Sequence, residues 1–147
     1  GTDHCSFTMA QKLQYGNDFQ RIPNGGAGVQ HRGQLLYTYG VCKGRITSEQ
    51  MVQLLSAGPA RLFGLTDRGT IAPGMAADLV VWDPAYEGRI TDTNTAHNAD
   101  NSPFAGLSVR GCARDVLLNG ERIVENGVLV LPGRGKYVAR KGYGKCR

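Results

Sequence analysis

The first 33 residues of the chain carry no regular hydrophobic periodicity, and this irregular opening constrains the fold more than any other feature. Residues that break helices and strands recur through it, at Gly16, Pro23, Gly25, Gly26 and Gly28. A loop of this length is uncommon inside a compact domain unless it is functional or packs against other chain. We therefore expect a functional loop, part of whose packing partners lie upstream of Gly1.

The pattern becomes helical over residues 34–64. Thr47 and Gln50 have the N-cap and N3 spacing of a capping box, which predicts the start of a helix. The pair Gly58-Pro59 is predicted to interrupt that helix, and a further short helix is predicted from Ala60 to Phe63. The sequence therefore predicts a helical region directly after the opening loop.

Beyond Gly69 the pattern is typical of short strands separated by turns. Asn119-Gly120 and Asn126-Gly127 predict type I′ hairpins, because both turn positions need positive φ. The segment from Asp92 to Gly106 is predicted to be a long exposed excursion. The predicted strands are Thr70–Ile71, Asp78–Trp82, Gly88–Thr91, Arg114–Leu118, Arg122–Val124 and Val128–Leu131.

The net charge of +5 is concentrated at the end of the chain, where residues 134–147 hold six cations and no acid. A basic tail can contact nucleic acid or an acidic partner, but no nucleic-acid-binding motif accompanies this one. A solvated or subunit-contacting tail is the favoured interpretation, and no nucleic-acid partner is expected. No run of 18 apolar residues is present, so no membrane span is expected either.

The four cysteines, Cys5, Cys42, Cys112 and Cys146, form no CxxC pair and have no histidine at zinc-finger spacing. This spacing argues against a structural zinc site. No signal peptide precedes Gly1, and we expect reduced thiols and a cytoplasmic location.

Asp3, His4 and Cys5 are adjacent and could suggest a catalytic or metal centre. Neighbouring residues of a strand point to opposite faces, however, so Asp3 and His4 are not expected to share one ion. His31 and His97 have no acidic or histidine neighbour at short spacing. Without a family resemblance, the residues indicate no complete active site.

Several segments resemble dihydropyrimidinases and hydantoinases, which are metal-dependent cyclic-amide hydrolases of the amidohydrolase superfamily. Thr2–Thr8, Gln11-Lys12, Asp18-Phe19 and Ile22–Gly26 resemble the loop after the last strand of that family's catalytic barrel. Pro59–Leu65, Gly69–Ile71, Ala77–Pro84 and Ser102–Gly106 resemble its next helices and its small β-domain. The resemblance covers nearly the whole chain and indicates a C-terminal part of such an enzyme.

The resemblance implies an α/β fold class with three parts. Residues 1–66 would form the end of a TIM-like (β/α)8 barrel, with its last strand, active-site loop and terminal helices. Residues 67–131 would be part of a small β-sandwich, and residues 132–147 a basic tail. The full-length protein would be a homotetramer, whereas the chain alone would be inactive.

The resemblance also implies a mechanism. Two divalent ions, normally zinc, are held in this family by histidines, a carboxylated lysine and one aspartate, whose position Asp3 matches. Asp3 would bind one ion and carry a proton to the leaving nitrogen during attack on the ring carbonyl. Asn24 would contact the small cyclic amide substrate, in the family largely through backbone groups. The lysine and the other ligands would lie upstream of Gly1.

Three alternatives stay open. Dihydroorotases and allantoinases typically carry a second histidine at the position of Phe7. The non-enzymatic collapsin response mediator proteins usually have glutamate at the position of Asn24. An independent small basic binding module is the third.

Overall fold

The computed structural model describes residues 2–140 as a helical region followed by an antiparallel sheet, which agrees with the predicted α/β class. Its helices are α1 Met9–Leu13, α2 Arg32–Leu36, α3 Ser48–Val52 and α4 Gly58–Leu62, with π-helical turns at Tyr37–Val41 and Gln53–Ala57. Its strands are β1 Leu79–Arg89, β2 Ser108–Leu118, β3 Glu121–Glu125 and β4 Val128–Leu129. The expectations for the end of the basic tail and for Cys146 fall outside the described residues.

The helix predicted from the capping box begins where expected. The Thr47 hydroxyl accepts the Gln50 N–H at 3.2 Å, and the Gln50 side chain accepts the Thr47 N–H at 2.8 Å. The predicted interruption at Gly58-Pro59 is wrong, because the helix runs on through the π-helical turn into α4. The Gly58 N–H donates to the Gln53 carbonyl five residues back, and this wider turn gives the proline ring room that an α-helix would deny it.

The four strands pair in sequence order, β1-β2-β3-β4, as a continuous meander. Both predicted hairpin turns are confirmed, with φ of 50° and 83° at Asn119 and Gly120, and 49° and 78° at Asn126 and Gly127. The two strands predicted between Asp78 and Thr91 are a single strand. A register shift against β2 between Asp83 and Glu87 absorbs the proline-containing stretch without ending the pairing.

The short strand predicted at Thr70–Ile71 is wrong. This stretch is irregular, and Ile71 is 87% exposed. No strand of the described sheet pairs with this stretch, so its side chains lack the packing against a neighbouring strand that favours β structure.

The helical region and the sheet meet around Trp82, whose ring lies 5.5 Å from the ring of Tyr37 between centroids. Beside this pair the Thr38 hydroxyl accepts the Arg110 N–H at 2.8 Å, and the Tyr39 hydroxyl donates to the Ser108 carbonyl at 3.0 Å. These contacts fasten the π-helical turn after α2 to β2. Within residues 2–140, no helix has the length and apolar character needed to cross a membrane.

Candidate functional site

Two segments of the irregular opening lie side by side. His4 and Gly26 form a single parallel β-bridge, and the Cys5 N–H donates to the Gly26 carbonyl at 3.2 Å. The His4 ring reinforces the pairing, because its Nδ1 accepts the N–H groups of Gly28 at 3.1 Å and of Val29 at 3.3 Å. The segment that carries Asp3 is thereby held against the segment that carries Asn24.

Gly25 allows this close approach. A Cβ at this position would lie 2.4 Å from the Cys5 carbonyl oxygen and 2.8 Å from the Cys5 Cβ, and the φ of Gly25 is 130°. No amino acid other than glycine can adopt that backbone conformation so close to Cys5. The loop geometry therefore depends on glycine next to Asn24.

Asp3 is exposed and has a φ of 47°, in the left-handed region that non-glycine residues rarely adopt. Within residues 2–140 the other non-glycine residues with positive φ are Asn119 and Asn126, both in hairpin turns. Left-handed backbone costs a non-glycine residue roughly 1 kcal/mol, and such strain clusters at functional sites. The Asp3 carboxylate makes no hydrogen bond or ion pair with the described residues, so both of its oxygens are available to a ligand.

Asn24 is exposed, and neither its side chain nor its backbone N–H and C=O is hydrogen-bonded within the described part of the chain. The carbonyls of the two neighbouring residues, by contrast, are hydrogen-bonded. The Lys12 ammonium donates to the Pro23 oxygen at 3.0 Å and to the Gly25 oxygen at 2.9 Å. Asn24 thus presents free donors and acceptors from a fixed stretch of main chain.

Lys12 is placed by the short helix α1, which the sequence reasoning did not predict. The Thr8 hydroxyl accepts the Gln11 N–H at 3.2 Å, and the Gln11 side chain accepts the Thr8 N–H at 2.8 Å, which is a complete capping box. Thr8 and Gln11 have the same spacing as Thr47 and Gln50, so this signal was present in the sequence.

The segment from Asp92 to Gly106 is the long, largely exposed excursion predicted, but Ala99 and Ser102 are buried and part of the segment is hydrogen-bonded to the opening loop. The Asn101 side chain donates to the Phe7 carbonyl at 2.8 Å. The Gln30 side chain accepts the Ala96 N–H at 2.6 Å. No local pattern could indicate these contacts, since their partners lie 66 to 94 residues apart.

Asp100 joins the same two segments. Its carboxylate accepts the Met9 N–H at 2.8 Å, and this bond, followed by one from Asn101, lowers the pKa of Asp100 below its usual value. An ionised carboxylate therefore caps the first turn of α1 at neutral pH.

No group of three or more His, Cys, Asp or Glu side chains in residues 2–140 is arranged to hold a metal ion. His4 uses its Nδ1 for main-chain N–H groups, His31 pairs with Gln34 at 3.3 Å, and the Nδ1 of His97 accepts the Ala99 N–H at 3.3 Å. Asp3, with an exposed and unpaired carboxylate, fits the role of a single oxygen ligand contributed to a larger site.

Comparison with known proteins gives one consistent result. Residues 1–123 match the Amidohydrolase family. The chain is 46% identical to a D-phenylhydantoinase of Escherichia coli over 145 residues, which cover 97% of this chain and 32% of that protein.

Solved structures agree with the sequence comparison. A D-hydantoinase (dihydropyrimidinase) from Thermus sp. superposes with a TM-score of 0.93 at 41% identity, over 98% of this chain and 32% of that chain. A dihydropyrimidinase from Brevibacillus agri superposes with a TM-score of 0.84 at 39% identity, over 88% and 29%. The chain therefore spans about a third of the length of these relatives.

Proposed function

Because the chain belongs to the amidohydrolase family, we propose that its parent protein is a metal-dependent hydrolase that opens the ring of hydantoins or dihydropyrimidines. The names of the relatives support this substrate class, and none of them favours an allantoinase, a dihydroorotase or a non-catalytic scaffold. One structural observation carries the proposal for this chain. The bridge between His4 and Gly26 holds the segment of Asp3, whose carboxylate is unpaired among the described residues, against the segment of Asn24, whose polar groups are unbonded there.

Asp3 would be both a metal ligand and the proton carrier. A bound pair of divalent ions lowers the pKa of water and polarises a carbonyl. Asp3 would accept a proton from the water that attacks the ring carbonyl carbon, and then deliver that proton to the ring nitrogen as the C–N bond breaks. Its exposed, unpaired carboxylate and its strained backbone support this assignment.

Asn24 would bind the substrate through its main chain. A cyclic amide has a carbonyl acceptor next to an N–H donor, and Asn24 offers an unbonded N–H and C=O within one residue. The adjacent Gly25 carries no side chain that could keep a ring away from this backbone.

We propose zinc for both ions and a carboxylated lysine between them, supplied with the remaining ligands by parts of the parent protein beyond this chain. Residues 1–66 would end the catalytic barrel, residues 67–131 would belong to a β-sandwich, and residues 132–147 would form a tail. The strong superposition on D-hydantoinase supports this division, as does the change from helices to an antiparallel sheet.

A cytoplasmic homotetramer is proposed for the parent protein. Cys5, Cys42 and Cys112 are free thiols, which suits a reducing compartment. Leu131 and Tyr137 are exposed, Tyr137 at 92%, and would be covered by a neighbouring subunit. Light scattering of the full-length protein would give the subunit number.

The function is tested by assaying the full-length protein on hydantoin and dihydrouracil, before and after chelation and zinc restoration. Asp3→Asn should lower kcat by about 100-fold or more, since general acid–base catalysis contributes about 10²- to 10⁴-fold. Asp18→Asn is the control, because the Asp18 carboxylate lies in the same loop and, among the described residues, bonds only to the Gln20 N–H; it should retain kcat within threefold. Turnover of neither ring by the zinc-loaded protein would favour the scaffold class, and an active Asp3→Asn variant would remove Asp3 from the mechanism.

A further inference from the structure

One ammonium group holds the carbonyls on both sides of Asn24. The Lys12 Nζ lies 3.0 Å from the Pro23 oxygen and 2.9 Å from the Gly25 oxygen, although it comes from a helix earlier in the loop. The two carbonyls are the ones nearest to Asn24 along the main chain, while the polar groups of Asn24 itself are unbonded within residues 2–140. The cation therefore fixes the frame of the Asn24 backbone without occupying its binding groups.

Holding the Pro23 carbonyl also fixes the direction of the Asn24 N–H, because the two groups belong to the same peptide. A trans peptide is planar, and its C=O and N–H point in opposite directions. All described peptides are trans, so the Pro23 oxygen and the Asn24 N–H share one plane and oppose each other. Fixing the Pro23 oxygen on Lys12 therefore places the Asn24 N–H on the opposite side of the peptide from the bonded oxygen.

The surroundings of Lys12 favour a rigid hold. Its side chain is half-buried, and its ammonium lies 5.5 Å from the centroid of the Phe7 ring. Charged donors form shorter and stronger hydrogen bonds than neutral ones. The helix that carries Lys12 is anchored at its start by the bond from the Met9 N–H to Asp100.

We propose that Lys12 is a positioning residue for substrate binding, which aims the main-chain N–H of Asn24 at a carbonyl of the cyclic amide. The inference rests on the proposed function and extends it to a residue that does not touch the substrate. The positioning role requires the ammonium group of Lys12, and not only the bulk of its apolar stem.

Three variants of the full-length, zinc-loaded protein separate the cation from the stem. Lys12→Met keeps an apolar stem and removes the donors, and Lys12→Arg keeps a cation. Lys43→Met is the control, because Lys43 is an exposed lysine with no hydrogen bond or ion pair in the described structure. Initial rates on hydantoin and dihydrouracil give KM and kcat, and hydrogen–deuterium exchange follows the amides of residues 24–29.

Lys12→Met should raise KM about tenfold or more, the effect of losing hydrogen bonds to a charged group, and change kcat less than threefold. Lys12→Arg should recover most of the loss in KM. Exchange of the amides of residues 24–29 should quicken in Lys12→Met and be unchanged in Lys43→Met. An unchanged KM, or a lower active fraction with the KM of the wild type, would overturn the positioning role in favour of simple stabilisation.

The exchange measurement keeps this proposal separate from the proposed function. If the wild-type protein opens neither ring, the proposed function fails, while exchange still reports whether Lys12 holds the loop. If the rings are opened and exchange of residues 24–29 is the same in Lys12→Met and the wild type, only the positioning role fails.

Discussion

Gly25→Ala tests whether the close approach of the two loop segments is needed for activity. The added methyl would lie 2.4 Å from the Cys5 carbonyl oxygen, and ordinary contact begins near 3.4 Å, so the segments must separate by about 1 Å. The Cys5 N–H to Gly26 hydrogen bond, now 3.2 Å, would lengthen to about 4.2 Å and be lost. Because the obstructing atom belongs to the main chain, no rotation of a side chain relieves the contact.

The expected magnitude follows from this displacement. Overpacking costs about 1–3 kcal/mol, and a misplacement of about 1 Å in an active site can reduce the rate by about 100-fold. We expect kcat/KM on hydantoin to fall about 10- to 100-fold in Gly25→Ala. Gly16→Ala is the control from the same loop, since Gly16 has a φ of 56° but no atom within 4 Å of an added Cβ. It should lose about 1 kcal/mol of unfolding free energy and keep its activity within threefold.

The assay combines initial rates with urea unfolding of both variants in the full-length protein. Shortening the neighbouring side chain with Cys5→Ala in the Gly25→Ala background should restore no activity, because the carbonyl oxygen remains. Equal activity and stability in Gly25→Ala and Gly16→Ala would refute the reasoning, since the close contact would then have no energetic consequence.

Three further predictions concern stability. Gly111→Ala would place a methyl 2.6 Å from each of two aromatic rings and should lower the unfolding free energy by about 2–4 kcal/mol. Gly127→Ala, whose added methyl has open space around it, should lower the unfolding free energy by about 1 kcal/mol, and urea unfolding measures both variants. The pKa of Asp115 is lowered chiefly by the hydrogen bond from Arg114, so its stabilisation is complete above the unfolded-state value of about 3.9 and is lost as the pH falls through the lower folded-state pKa. Asp115→Asn should therefore flatten the acid limb of the melting temperature against pH. Thr47→Ala removes an N-cap and should cost about 1 kcal/mol in thermal unfolding.

Local chemistry made part of the fold predictable. The Asn-Gly dipeptides require positive φ at two successive positions, and both hairpins form. The helix predicted from Ala60 to Phe63 ends at Gly64, whose φ is 67°, and the Leu65 N–H is bonded to the Ala60 carbonyl at 2.8 Å. The interruption expected at Pro59 did not occur, because a π-helical turn is a local adjustment that sequence spacing does not reveal.

The candidate site could likewise be predicted only in part. The resemblance singled out Asp3 and Asn24, and the structure holds their segments together through the His4–Gly26 bridge, while their chemical roles stay predictions. The sequence does not predict a functional role for Lys12, because α1 lies within the segment predicted to be a loop. Its hold on the carbonyls beside Asn24 depends on the folded path of the chain, which no periodicity records.

The contacts between the opening loop and residues 92–106 have an evolutionary consequence. Hydrogen bonds join Met9 to Asp100, and Gln30 to Asn94 and Ala96, across more than 60 residues of sequence. Each bond uses a side chain on one partner and the main chain on the other. The main-chain partner can change identity freely, while the side-chain partner cannot. A change at Gln30 or Asp100 should therefore be accompanied by a change in the segment that it contacts, and neighbouring loop lengths should change together.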